Sequence, residues 1–450
     1  ITRVGEGERQ KAEGRRQKKR KLAPFVCCSP FGKLLPRLHP LAYPAGSRYR
    51  IYILHPSSFI LLPSALCLFP FLSMLLEKSF SRIHWKSLVK PWQNVDLWLF
   101  VLALAIARWR YDQLLRWQWI IYGITNVLLL AVMFVGREEL GAQRWINIFG
   151  FNLQPSEFAK LGIIITIAAV LSERPASTIP VMLKTLAVTA VPWTFVFLEP
   201  NLGTSLVFGA ITLGMLYWGN ANPGWLLLLL SPFLSAILFN LYLPLWFIWV
   251  VLIGFVAWRS LPWYRIGTIL AVAINLISGV LGHFLWGILK DYQKERLTMF
   301  LNPDQDPLGG GYHLIQSRIA IGAGGWLGRG LNHGTQTQLN YIPEQHTDFI
   351  FAAVGEELGF VGCFLVLFAF WLICLRLIII AQNARDNFGS LIAIGVLSMI
   401  VFQTVVNVGM TIGLSPVTGI PLPFLSYGRS ALLMNCLAIG LVPVSYTHLT

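Results

Sequence analysis

Charge is what this 450-residue chain has least of. Asp, Glu, Lys and Arg make up 12% of it, where globular domains carry about 25%. Cysteine is sparse too: six residues, at 27, 28, 67, 363, 374 and 436, none in a CxxC pair. That excludes a disulfide framework or a cysteine metal site, and the last three, inside apolar runs, read as small hydrophobes. The apolar and polar alternation of a closed membrane barrel is missing. The glycine-rich GAGGWLGRG (322–330) lacks both a following Lys-Ser/Thr and a preceding strand, so it is neither a P-loop nor a dinucleotide fingerprint. His313, His333 and His346 follow no zinc spacing. No inverted internal repeat is visible, which counts against a common transporter architecture.

What the chain does have is apolar length: 55% of it is hydrophobic, and a span needs about 20 such residues to cross ~30 Å of hydrocarbon. Runs fall near 97–107, 117–135, 157–171, 183–198, 203–218, 225–240, 243–257, 266–289, 349–380, 391–412 and 430–443. The fold class is therefore all-α: a polytopic integral membrane protein of about 10–12 transmembrane helices. A large extracytoplasmic loop, 290–347, precedes the third-last helix. Run 97–107 is short, and run 349–380 is expected to tilt or extend past the bilayer. Arg108, Arg110 and Arg116 share one short loop, Arg174 and Lys184 another, Arg259 and Arg265 a third, Arg376 and Arg385 a fourth. Counting spans puts all four on one side, the cytoplasm by the positive-inside rule. The outer side then holds GREELGAQRW, EPNLG, segment 290–347 and SPVTGIPLPFLSYG. Unstructured loops beyond about 12–15 residues are uncommon and usually functional. Segment 290–347 is expected to form an outer cap, with YHLIQSRIAIGAGG along the membrane surface or dipping into a cavity.

The net charge of +15 sits mostly outside this membrane domain. Residues 1–73 hold 13 Lys/Arg against three Asp/Glu, and the first methionine is Met74. We expect Met74 as the natural start, 1–73 as a non-native or disordered basic upstream segment, 74–443 as the membrane domain and 444–450 as a foreign tail. The basic stretch GRRQKKRK then implies no nucleic-acid partner.

Against this apolar background the remaining charges stand out. A charge at mid-membrane costs roughly 2.5–3.5 kcal/mol on insertion scales, tolerated where it is paired or faces water. In GAQRWINIFGFNLQPSEFAK, Pro155 suits a first helical turn, and Glu157 and Lys160 share a helix face; they form either a polar cavity wall with Arg144 or a structural ion pair. Asp348 opens an apolar run and is either a helix cap or a general base at the membrane surface. Glu356 and Glu357 lie about 12 Å deeper along the same helix and argue for a water-accessible cavity. Lys290, Lys294 and Arg296 hold phosphate oxygens or line a solvated helix end. Asp304-Gln305-Asp306 imitates a cation-binding DxD, although a turn is the simpler reading.

Four stretches together resemble the SEDS family (shape, elongation, division and sporulation), most closely its RodA, rod-shape-determining branch. They are GAQRWINIFGFNLQPSEFAKLGI, PNLGTSL, DYQKERLTMFLNPDQDPLGGGYHLIQSRIAIGAGGWLGRGLNHGTQTQLNYIPEQHTDFIFAAVGEELGFVG and NVGMTIGLSPVTGIPLPFLSYG. The resemblance runs from about Arg108 to Val442. It implies a peptidoglycan glycosyltransferase of the bacterial cytoplasmic (inner) membrane, working on its outer face. The GlcNAc 4-hydroxyl of one lipid II would attack the MurNAc anomeric carbon of another, releasing undecaprenyl pyrophosphate. It further implies a class B penicillin-binding protein and other elongation-complex membrane proteins as partners. By resemblance Asp348 is the essential aspartate, and Glu157, Lys160 and Arg144 are cavity residues. Lys294 and Arg318 are candidate pyrophosphate contacts, Asn201 stands where the family often has Asp, and Glu356 joins the cavity set. A divalent cation, Mg or Mn, is expected with no ligand set named. Two departures are visible: the spans before 117–135 look fused, and 225–289 carries an extra helix pair beyond a ten-span pattern. The rival readings are a lipid II flippase and a non-catalytic scaffold of the elongation complex.

Overall fold

The computed structural model describes residues 111–139, 142–148, 151–199, 201–288, 303, 311–342 and 344–447. Helix α1 (Tyr111–Val135) leads into three short strands, β1 (Arg137–Glu139), β2 (Ala142–Ile148) and β3 (Phe151–Leu153). These pair antiparallel in the order β1-β2-β3. Helices α2 (Pro155–Glu173), α3 (Ile179–Leu198), α4 (Leu202–Trp218), α5 (Pro223–Leu241), α6 (Leu243–Ser260) and α7 (Tyr264–Ile288) follow. Next come α8 (Tyr312–Gly324), the single turn α9 (Thr335–Gln338), α10 (Ile350–Asn383), α11 (Asn387–Ile412) and α12 (Arg429–Thr447). Eight of these are long and apolar enough to cross a membrane, and α4 and α12 are shorter apolar helices. The expected runs from 117 onward are all present. Run 97–107, the fused first spans and segment 1–73 lie outside the described residues.

Local sequence sets these boundaries. Pro155 at the start of α2 gives up an N–H that a first turn leaves unbonded anyway. Asn222 caps α5 by accepting from the Gly224 amide at 2.8 Å, with Pro223 next in line. Helix α11 stops at Gly413, whose φ of +83° is the left-handed stop that glycine adopts without strain.

Helices α2 and α11 are enclosed on most sides, whereas the other long helices expose apolar faces such as Phe233, Phe247, Val251 and Ile266. A membrane protein shows this pattern, because lipid tails solvate apolar side chains as well as a core does. The core is built where Ile163, Ile164 and Ile167 of α2 meet Phe208 and Met215 of α4 and Ile392 of α11. Gly395 permits that approach: a Cβ there would lie 2.7 Å from Ile164 and 2.9 Å from Met215. Helices α5, α6 and α7 pack chiefly on one another and meet the rest through α4. Their interior carries a polar network, in which Asn275 donates to Ser231 at 2.9 Å and Trp246 donates to Ser235 at 2.8 Å. Such interhelical bonds contribute about 0.6 kcal/mol each in membranes. Three helices here bear out the extra apolar length expected at 225–289.

The long run 349–380 does not simply tilt. Helix α10 breaks at Gly359 (φ +65°, ψ −160°), a conformation closed to residues with a side chain. Residues 360–383 alone, about 36 Å at 1.5 Å per residue, suffice to cross the hydrocarbon. GAGGWLGRG docks at the break. Phe360 and Val361 amides donate to the Gly325 and Trp326 carbonyls at 2.9 and 3.1 Å, and Arg329 and Gly330 amides donate to Glu356 and Glu357 at 3.0 Å. Helix α8 packs along α10 and α11, with Ser317 donating to the Thr411 carbonyl at 2.8 Å.

Candidate functional site

Because the helices alternate in direction, the connections α1–α2, α3–α4, α7–α10 and α11–α12 share one end of the bundle. Hydrogen bonds join them there. Gln154, just before α2, donates its amide to Ser430 at the start of α12, and Ser430 donates to the Asn152 carbonyl, both at 3.2 Å. The Arg144 guanidinium on β2 donates to the Glu199 carbonyl at the end of α3, at 3.5 Å. A Cβ on Gly203 in α4 would sit 2.6 Å from the Thr418 carbonyl oxygen in the α11–α12 connection.

Asp348 belongs to this end. It is half-buried in the turn formed by residues 344–349. Helix α10 takes Phe349 as its cap residue, with no side-chain cap bond from it, and Asp348 stands one residue earlier. Thr347 turns its hydroxyl back to Glu344 instead, at 2.9 Å from the carboxylate. Across from Asp348 lies Gly419 (φ +70°), where a Cβ would stand 3.3 Å from Asp348 Oδ2. The aspartate carboxylate thus faces the tip of the α11–α12 connection, and the other side of that tip, Thr418, rests on the start of α4.

The remaining candidates divide. Glu157 and Lys160 are both sealed, at 3% and 2% exposure, and Lys160 Nζ lies 2.7 Å from each Glu157 oxygen. Their charges are spent largely on each other, in the first turns of a central helix. Asn201 caps α4, its side-chain oxygen accepting from the Thr204 amide at 3.4 Å. Glu356 does not line an open cavity. It is fully enclosed, and its two oxygens accept from the Gln336 and Thr337 amides at 2.8 and 2.9 Å. This satisfies the orphan N–H groups at the start of α9. Arg318 is exposed on α8, its guanidinium end beside Gly413. Lys294, like Asp304 and Asp306, lies outside the described residues.

Sequence reading passed over Glu199. It is 5% exposed, and one carboxyl oxygen has no hydrogen-bond partner. Burial pushes its pKa up to about 8, against the opposing pull of Arg144. The signal was present in EPNLG, a carboxylate closing an apolar helix two residues before Asn201. Its consequence follows only from the fold, which buries the Glu199 side chain.

A bundle of apolar-faced helices whose connections are hydrogen-bonded together at one end defines a multi-span membrane protein. The sequence matches the FtsW/RodA/SpoVE family of cell cycle proteins over residues 57–247 and 242–449, and the chain belongs to that family. Peptidoglycan glycosyltransferase MrdB of Escherichia coli strain K12 is 36% identical over 336 residues, covering 74% of this chain and 78% of that one. Peptidoglycan glycosyltransferase RodA of Treponema pallidum is 35% identical over 378 residues, covering 76% and 86%. A chain of a solved peptidoglycan synthase complex, described as coordinating polymerization and crosslinking, matches with a TM-score of 0.64 and 28% identity over 86% of this chain and 98% of that one. The rod shape determining protein RodA of Thermus thermophilus shares the fold, with a TM-score of 0.55 and 23% identity over 85% and 94%.

Proposed function

We propose that this chain is a peptidoglycan glycosyltransferase that polymerises lipid II at the outer face of the bacterial cytoplasmic membrane, with Asp348 as its general base. The observation that carries the reading is the placement of Asp348. A half-buried carboxylate faces a glycine at the membrane end where these four connections meet. Its oxygen takes the proton of the acceptor GlcNAc 4-hydroxyl, and the hydroxyl oxygen forms a bond to the MurNAc anomeric carbon of the donor. The bond to the lipid pyrophosphate breaks in the same displacement, and the anomeric configuration inverts. A positioned base contributes typically 10²–10⁴-fold. Both substrates stay anchored in lipid, so the site belongs at the leaflet surface.

Positive charge must meet the departing pyrophosphate. Arg144, tied to the end of α3, and exposed Arg318 are the described candidates; Lys294 completes the set. The Glu157–Lys160 pair, sealed in the first turns of α2, is proposed to support the site from within that helix. Among the described residues no three His, Cys, Asp or Glu converge as a cation set, so no step is routed through a metal. Mg or Mn remains part of the proposal: it would offset charge on the departing pyrophosphate, and a chelator tests it. A class B penicillin-binding protein is the proposed partner, in keeping with the synthase complex that the fold matches.

The purified protein, given lipid II in detergent, is expected to form glycan polymer, and chelator to slow it. A flippase has no bilayer to act across there and would yield no polymer, which would overturn the reading.

A further inference from the structure

We propose that Asn407 and Ser426 are positioning residues that aim the Asp348 carboxylate by clamping the backbone of its turn. The inference rests on Asp348 as the base. Three consecutive carbonyls, those of residues 346, 347 and 348, are each held from the far side of the site. The Tyr427 amide donates to His346 at 2.8 Å. Ser426 Oγ donates to Thr347 at 2.7 Å. Asn407 Nδ2 donates to Asp348 at 2.9 Å. The turn closes its own donors internally, Thr347 and Phe349 amides both bonding the Glu344 carbonyl at 3.1 and 3.2 Å. Its backbone therefore has little freedom left to rotate.

The same two side chains also bind the element that faces the carboxylate. Asn407 is fully buried on α11, and its amide donates a second bond to the Ile420 carbonyl at 2.8 Å. Ser426 accepts from the Leu422 amide at 2.7 Å while it donates to Thr347. One amide and one hydroxyl thus fix residue 348 and the Gly419 tip relative to each other. A buried amide nitrogen and a buried hydroxyl that each bridge two backbone segments specify one geometry rather than merely adding stability. A base displaced by 1 Å from its proton can lose about 10²-fold in rate, so the clamp acts on turnover and not on substrate affinity.

The test measures kcat and KM for lipid II, with unfolding temperature, on the full-length protein carrying Asn407→Ala, Ser426→Ala, both together, and Asp348→Asn. The expected result is a kcat loss of about 10–100-fold in each clamp variant, with KM within about twofold. The double variant falls by much less than the product of the two, because both act through one turn. Ser426→Ala, the milder change, keeps its unfolding temperature. A raised KM at unchanged kcat would overturn the inference, as would a rate loss that tracks unfolding temperature across the series. Clamp variants at full rate beside an inactive Asp348→Asn would sink the clamp and leave the base standing. An active Asp348→Asn would instead remove the base and with it the clamp's purpose.

Discussion

At residue 348 a carboxylate interrupts an apolar sequence, and that interruption was readable without coordinates because charge is so rare in this chain. The choice between cap and base was not readable, since both put an acid at a helix start. In the fold Phe349 stands at the cap, one residue beyond Asp348. Glu356 went the other way: two acids below Asp348 suggested water, but an enclosed carboxylate is equally stable when backbone amides fill its lone pairs. Glu199 escaped notice because burial, not residue type, makes it unusual. In the unfolded chain its carboxyl loses its proton near pH 4.5, whereas in the fold it holds it to about pH 8. Between those values the native state binds more protons, so stability falls as pH rises through that window. Glu199→Gln, which cannot ionise, is expected to flatten this part of the unfolding-temperature profile from pH 5 to 8 relative to the parent. An unchanged slope would contradict the buried neutral acid.

Among the elements, helices from residue 117 onward could be located because runs of about 20 apolar residues have few alternatives. The three strands between α1 and α2 were missed; two are three residues long, too short for alternation to register. The break in α10 was missed as well, because hydropathy is continuous across it and a single glycine in an apolar run is common. Only the docked GAGGWLGRG shows why Gly359 must be glycine. An alanine there would be strained in φ and would run into the Gly328 amide. Gly359→Ala is therefore expected to destabilise the protein by about 1–3 kcal/mol. Limited proteolysis of segment 322–342 should accelerate in the variant, and a parent-like digestion rate would speak against a required break.

For the whole molecule, class was the most legible property: low charge and repeated apolar length leave few options beside a helical membrane protein. That GREELGAQRW, EPNLG, segment 290–347 and SPVTGIPLPFLSYG share one side followed from counting spans, and among the described residues hydrogen bonds such as Gln154–Ser430 and Asn407–Asp348 join the connections at one end. What sequence could not supply was the contact of Gly419 with Asp348, residues 71 positions apart, whose meeting depends on how α11 crosses α10. In the proposed reaction a proton leaves the acceptor sugar for the carboxylate at 348. Lipid II polymerisation by purified parent and Asp348→Asn protein, matched for unfolding temperature, tests it most directly. A loss of at least about 100-fold in glycan formation is predicted, and polymer made by Asp348→Asn at the parent rate would contradict it.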